Sequence, residues 1–388
     1  MPDLAIQLAD EFWKRFNRIP FLYMAPGRIN LIGEHVDYNG GLVMPAAIDK
    51  HFLFAIAPSR TDKCNVYAAD FKEGVSFSIH DLNPGESWVN YLMGVMDAFL
   101  RRGLSIEGVD CIFNSNIPPG AGLSSSAALC SGFAFALNEI FKCGLSKLEL
   151  AKIAQYAENE FAGVNCGIMD QYASLFGEEG SAILLDCKGL THEVLPSTFS
   201  SHSLLLVDSK VKHSLAASAY NDRRESCETG VSTIHKKNSS VKSLRDVSRA
   251  KLYEYQDALG DDTFVKCLFV VEEIARTQQA ADLLKKQDLK GFGELMYLSH
   301  WGLSQAYDVS CQELDFLVMQ AEEDKNKVLG SRMMGGGFGG CTINLVQKNY
   351  EGIFKETVRK KYFATFKQEP DFYSVKLSQG VHQLNLQP

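Results

Sequence analysis

Residues 118–128 read PPGAGLSSSAA, set between an alternating segment, VDCIF at 109–113, and an apolar stretch running from 123 to about 141. The first has the period of a strand and the second the character of a buried helix. Gly120 and Gly122 let the backbone turn tightly with no Cβ in the way. Ser124, Ser125 and Ser126 then fall in the first helical turn. The N–H groups there lack internal partners and the helix dipole is positive, so such an end holds an anion, most often phosphate. A lone Gly-rich turn would be no more than a helix cap. Strand, Gly-x-Gly, three hydroxyls and a buried helix together predict a phosphate cradle.

The rest of the chain sets limits around this loop. Its 388 residues are enough for two domains with substantial cores, and 46% apolar with 22% charged residues is ordinary for a globular chain. A net charge of -8, with no dense Lys/Arg run interleaved with aromatics, speaks against a nucleic-acid surface. No apolar run is long enough for a membrane span. The opening MPDLAIQLADEFWKRF carries acids early and reads as an amphipathic helix rather than a secretory leader. Ten scattered cysteines, without Cys-x-x-Cys, predict reduced thiols in a cytoplasmic protein, and Cys166 and Cys341 are read as packing residues. Nothing implies an obligate protein partner.

In chain order, FLYMAPGRINLIGEHVDYNGG (21–41) gives way from strand-formers to a polar cluster of Arg28, Asn30, Glu34, His35, Asp37, Tyr38 and Asn39, read as a loop. A guanidinium, two carboxylates, an imidazole and an amide suit a ligand rich in hydroxyls, each of which needs a donor or an acceptor. A strand pair is expected across 42–58, with more strands at 65–71 and 75–79. Trp88 and Tyr91, three apart in a helical stretch, are either core or flank a flat base such as adenine. Ser146 and Glu149 make a capping box for a helix over 146–161. Glu158 lies at the edge of that helix's apolar stripe, either facing solvent or holding a cation near the phosphates. Asp170 sits among Ile168, Met169, Tyr172 and Leu175, so it is expected to be shielded from water. Arg28 is the obvious cation for it, and a pair would keep Asp170 ionised and ready to take a proton. Residues 181–189 and 203–207 read as strands, 211–228 as a helix, 229–246 as a mobile loop and about 262–325 as helices. GGGFGG (335–340) carries five glycines in six positions, more than a turn needs, and predicts close backbone approach. A strand at 342–346, a helix at 350–366 and a strand at 373–377 follow.

A phosphate loop, a possible cation ligand, a shielded carboxylate and a hydroxyl-rich cluster point to phosphoryl transfer from a nucleotide to an alcohol. The Gly-x-x-x-x-Gly-Lys-Ser/Thr loop is missing, as are the protein-kinase signatures. The loop is therefore a different answer to the same electrostatic problem.

Three motifs resemble those of the GHMP kinase superfamily, and the first resembles its galactokinase branch: GRINLIGEHVDYNGG (27–41), PPGAGLSSSAA and GGGFGG. AENEFAG (157–163), CGIMDQ (166–171), HSLAASAY (213–220) and SCQELD (310–315) resemble galactokinase segments as well. The resemblance implies an α+β, two-domain GHMP kinase fold, residues 1–190 and 191–388, with the site in the inter-domain cleft. It implies Asp170 as the base and Arg28 as its partner. Glu34, His35, Asp37, Gly167 and Tyr220 would hold the sugar. Gly120, Gly122, Leu123, Ser124, Ser125 and Ser126 would bind the ATP phosphates, with Trp88 and Tyr91 near adenine. Ser126 and Glu158 would approach magnesium, and galactose and ATP would react to galactose 1-phosphate and ADP. Pro119 departs from the Leu more usual in the loop, and GLSQAYDVSC (302–311) lacks the charges expected before its Tyr. A galactose-like sugar such as N-acetylgalactosamine, a non-catalytic sugar sensor, or a kinase of a non-sugar alcohol are the alternatives.

Overall fold

The computed structural model describes residues 2–85, 87–197, 199–211 and 216–385. Among them, strands form three sheets. The largest runs, in spatial order, His382–Leu384, Phe21–Asn30, Pro45–Pro58, Val109–Ser115, Lys63–Ala68 and Glu73–Ser78. Its pairs are antiparallel except Lys63–Ala68 against Val109–Ser115. The helix Ser125–Ile140, rich in Ala, lies on this sheet. A Cβ at Gly132 would come within 2.5 Å of Ala25 and Phe54, so the helix seats closely because glycine faces the strands there. The loop of 118–124 is thereby brought against the strand Phe21–Asn30.

A second sheet is ordered Val328–Met333, Cys341–Gln347, His202–Asp208 and Asp371–Val375. The helices Leu289–Gln305, Gln312–Glu322 and Glu351–Phe366 contribute Tyr297, Leu317, Val318, Phe354 and Tyr362 to the core packed with its Leu205, Val207 and Val346. The third sheet joins Leu42–Val43, Ser181–Asp186 and Thr191–Pro196.

Three expectations are corrected. Residues 42–58 do not form a strand pair: Leu42–Val43 pairs with Ser181–Asp186, while Pro45–Pro58 is one strand of 14 residues in the large sheet. The stretch 229–246 is not a mobile loop. The helix Ala216–His235 runs into it, because Cys227 and Ile234 bury themselves and Gly230 lets the helix Asp261–Lys285 approach until Cys267 touches it. Val241 and Leu244 are buried beyond it. Finally, the capping box forms as read, with Glu149 N–H on Ser146 Oγ at 3.3 Å and Ser146 N–H on Glu149 Oε2 at 2.8 Å. Its helix, however, ends at Tyr156 and opens into one π turn, Ala157–Phe161. Such turns cluster at functional sites.

Candidate active site

The phosphate loop is pinned before its helix begins. Gly120 and Gly122 take φ of +76° and +73°, which glycine enters freely. Between and after them, Ala121 and Leu123 are buried anchors. Leu123 O accepts the Arg28 N–H at 3.1 Å, and Gly122 O accepts Arg28 Nη1 at 2.6 Å. The helix starts at Ser125, so the serines do not share one helical turn as expected. Ser124 precedes the helix at φ +55°, Ser125 is exposed at its end, and Ser126 Oγ donates to Glu158 Oε2 at 2.6 Å.

Arg28 and Asn30 lie on the strand Phe21–Asn30, not in a loop. From there the Arg28 guanidinium reaches Asp170, in the first turn of the helix Met169–Phe176. Nε meets Oδ1 and Nη2 meets Oδ2, both at 2.7 Å. This fork-to-fork pair is the strong form of a charge-assisted contact. Burial works against the Arg28 charge, but Asp170 and then Glu34 outweigh it and hold its pKa above the usual value. The Asp170 side chain keeps 24% of its surface open, so the pair is buried on the cation's side and accessible on the carboxylate's.

Glu158 rides on the π turn. One helical turn after the buried Ala154, it faces inward and is 4% exposed. Gln171 Nε2 donates to its other oxygen at 2.5 Å. Burial, with Ser126 and Gln171 opposing it and Asp170 adding to it, pushes its pKa up to about 7.

The remaining residues close the other wall. Glu34 is buried and accepts from Arg332 Nη2 at 3.0 Å and from the Gly335 N–H at 2.9 Å. His35, at φ +60°, has Nδ1 2.8 Å from Tyr38 Oη and Nε2 3.2 Å from Gly336 O. Burial lowers its pKa to about 4, so the ring is neutral at ordinary pH. Tyr220 lies with its ring 5.1 Å from that of His35. Residues 213–215 of the HSLAASAY segment lie outside the described residues. Asp37 is pushed up to about 7 by burial, with Asp170 adding to the effect. A Cβ at Gly167 would fall 1.9 Å from Asp37 Oδ2, so only glycine fits beside that carboxylate.

Arg28, Glu34, His35, Asp37, Gly167, Asp170 and Tyr220 line one cavity of roughly 280 Å³, which Ser126, Glu158, Gly335 and Gly336 also border. A larger cavity, roughly 460 Å³, opens by Asp49, Glu179, His202, Lys348 and Lys376 and shares no residue with it. Size does not choose between them; the paired, half-open carboxylate does. Trp88 and Tyr91 line neither: both are half-buried, and Trp88 packs edge-on to Phe113 with centroids 5.3 Å apart. Burial raises the Cys166 and Cys341 thiols, which keeps both protonated. Among the described residues no group of three or more His, Cys, Asp and Glu side chains could hold a metal, and no helix is long and apolar enough to cross a membrane.

Sequence reading missed Arg332 and Glu273. Arg332 is fully buried and donates to Leu31 O at 2.8 Å, to Met333 O at 2.7 Å, and to Asn30 O, besides Glu34. Glu273, from the helix Asp261–Lys285, accepts the Gly33 N–H at 3.1 Å and Ser299 Oγ at 2.6 Å. An arginine three residues ahead of a glycine run, where a buried strand should be, was the available signal for the first. For the second there was none.

Comparison with known proteins bears on this geometry. The GHMP kinases N terminal domain matches residues 90–178, the galactokinase galactose-binding signature residues 10–58, and the GHMP kinases C terminal domain residues 280–364. A galactokinase of Clostridium acetobutylicum is 38% identical over 98% of this chain and 99% of its own. The chain belongs to the galactokinase family. A galactokinase of Thermosipho africanus is 40% identical, covering 93% of this chain and 99% of its own. The crystal structure of Lactococcus lactis galactokinase complexed with galactose superposes with a TM-score of 0.95 at 32% identity, over 98% of this chain and 100% of that one. A mevalonate kinase, at TM-score 0.64 and 19% identity over 92% and 99% of the two chains, shares the fold alone. The α+β GHMP kinase fold read from the three motifs is thus the observed one, and the chain is a galactokinase-family enzyme.

Proposed function

We propose that this galactokinase-family enzyme transfers the γ-phosphoryl group of ATP to the anomeric hydroxyl of α-D-galactose, giving galactose 1-phosphate and ADP, the first step of galactose use. One observation carries the reading: the Arg28–Asp170 fork opens its carboxylate into the cavity that the 27–41 motif and the phosphate loop share. Asp170 takes the proton of the attacking hydroxyl. The new oxygen–phosphorus bond forms as the bond between the γ-phosphorus and its bridging oxygen breaks, and ADP leaves with that oxygen. Arg28 orients the Asp170 carboxylate through its fork and, from the same position, steadies charge on the phosphoryl group. A positioned base contributes roughly 10²–10⁴-fold. Electrostatic stabilisation by Arg28 and the helix end carries at least as much.

Glu34, His35, Asp37, Gly167 and Tyr220 hold the sugar hydroxyls. Backbone N–H groups at Gly120, Gly122 and Leu123, with Ser125 and Ser126, hold the phosphates. Trp88 and Tyr91 lie on the nucleotide side as the core behind the base pocket rather than as its open faces. A raised, buried Glu158 touching the Ser126 hydroxyl fits magnesium, which needs only one or two protein oxygens beside the phosphates. Bound there, the ion would neutralise phosphate charge. We read residues 1–190 and 191–388 as the two domains, with Thr191–Pro196 and His382–Leu384 returning to sheets of the first. Tyr220, Gly335 and Gly336 from the second meet Arg28 and Asp170 from the first at the cavity. Free thiols throughout fit a cytoplasmic enzyme.

The test is ATP consumption with galactose, glucose, N-acetylgalactosamine and mevalonate. Turnover with galactose foremost is expected. A preference for another of the four would replace the substrate, and no turnover with any would overturn the reading.

A further inference from the structure

Ser124 stands apart from its two neighbours. Its φ of +55° and ψ of +54° lie in the left-handed region, which is unfavourable for a residue with a Cβ. It also occupies the position before the helix Ser125–Ile140 where a serine side chain ordinarily accepts a backbone N–H, and it makes no such bond. An unfavourable backbone and a forgone cap are offset by a single contact: Ser124 Oγ donates to Asp170 Oδ2. The same oxygen takes Arg28 Nη2, and Oδ1 takes Arg28 Nε. An ionised carboxylate has about four lone-pair sites, so three donors leave about one for a substrate proton.

We propose that Ser124 is a positioning residue for Asp170: its hydroxyl, aimed by the left-handed backbone, fixes the carboxylate so that its free lone pair faces the sugar, and it is not a phosphate ligand. This rests on Asp170 being the base. Arg28 also grips Gly122 O and Leu123 O, so the loop that holds the nucleotide and the group that takes the proton form one rigid body. Ser126 and Ser124, two residues apart on one backbone, then set the distance between phosphate and base.

The test uses Ser124→Gly and Ser124→Ala in the full chain. Both remove Oγ; glycine accepts φ +55° and alanine does not. Losing a hydrogen bond to a charged group should lower kcat on the order of ten- to a hundredfold in both variants. The KM values for ATP and sugar should stay within about twofold, as for an interaction realised only in the transition state. In an Asp170→Asn background, single-turnover rates should show no further loss on adding Ser124→Gly. Weakened ATP binding with kcat intact would make Ser124 a phosphate ligand and overturn the proposal. So would a loss in the alanine variant alone, which would leave only a backbone role, or a full loss retained beside Asp170→Asn. A wild-type enzyme inactive on all four alcohols would instead remove the reading beneath it.

Discussion

Two buried arginines, Arg28 and Arg332, each hold a carboxylate, and they have opposite uses. Arg332 is sealed: fully buried, it spends its donors on Glu34 and on the carbonyls of Asn30, Leu31 and Met333, and Glu34 keeps only 3% of its side-chain surface open. It staples the strand before the glycine run to the 27–41 motif. Arg28 is almost as deep, yet its partner Asp170 opens to the cavity. A nearly closed pair mainly fixes shape: Glu34 Oε1 takes both Arg332 and the Gly335 N–H, and Oε2 is left for a sugar hydroxyl. A half-open pair keeps one acceptor available and can do proton chemistry.

The contrast is broken or sharpened by substitutions on either side. The largest effect is expected from Asp170→Asn, which should lower kcat by roughly 10²–10⁴-fold while calorimetric ATP binding survives. A near-native rate would strip the open pair of its role. Arg332→Met should act on stability instead, lowering the unfolding free energy by roughly 3–5 kcal/mol, because Glu34 is left as an uncompensated buried charge. Arg28→Met should show the reverse pattern, with catalysis lost and a smaller shift of the urea midpoint, since Asp170 can turn to water. Equal midpoints for the two would erase the distinction. Asp37→Ala should raise the sugar KM about ten- to a hundredfold, the worth of hydrogen bonds to a charged group, with ATP KM unchanged.

The smallest effect is on pH. Glu158, with a folded pKa of about 7, favours its protonated form relative to the unfolded chain. Its stabilising contribution is therefore complete below the ordinary glutamate pKa and is lost as pH rises through about 7. Magnesium with ADP should offset that loss, so the ligand-induced rise in melting temperature should be larger at pH 8 than at pH 6. Glu158→Gln should flatten the difference, and an equal rise at both pH values in the wild type would detach Glu158 from the cation.

How much of this could be read in advance differs by residue. The Gly120 and Gly122 turn, the Ser146–Glu149 box and the meeting of Arg28 with Asp170 were legible, since each rests on residue chemistry at short range or on one obvious partner. Glu158 was legible only as a choice. Helical spacing put it on the stripe's edge, and spacing alone does not say whether an edge position faces solvent or the Ser126 hydroxyl across the site. Ser124 was grouped with its neighbours because sequence does not carry φ. Arg332 and Glu273 escaped because their partners are backbone groups about 300 and 240 positions away. The helix through 229–235 was hidden by its Gly, Ser and Thr content and by the Lys- and Ser-rich run after it, which tertiary burial of Cys227 and Ile234 overrides.

The short strand His382–Leu384 lies beside Phe21–Asn30, with Leu22 opposite Leu384 and Met24 opposite His382. During synthesis the strand that carries Arg28 is made almost a whole chain ahead of this neighbour. Until residues 382–384 emerge, one border of that strand offers unpaired N–H and C=O groups to any extended peptide nearby. That border is an open template for pairing until its neighbour is made. A chain cut before Val381 would keep every proposed active-site residue and still remain in that vulnerable state.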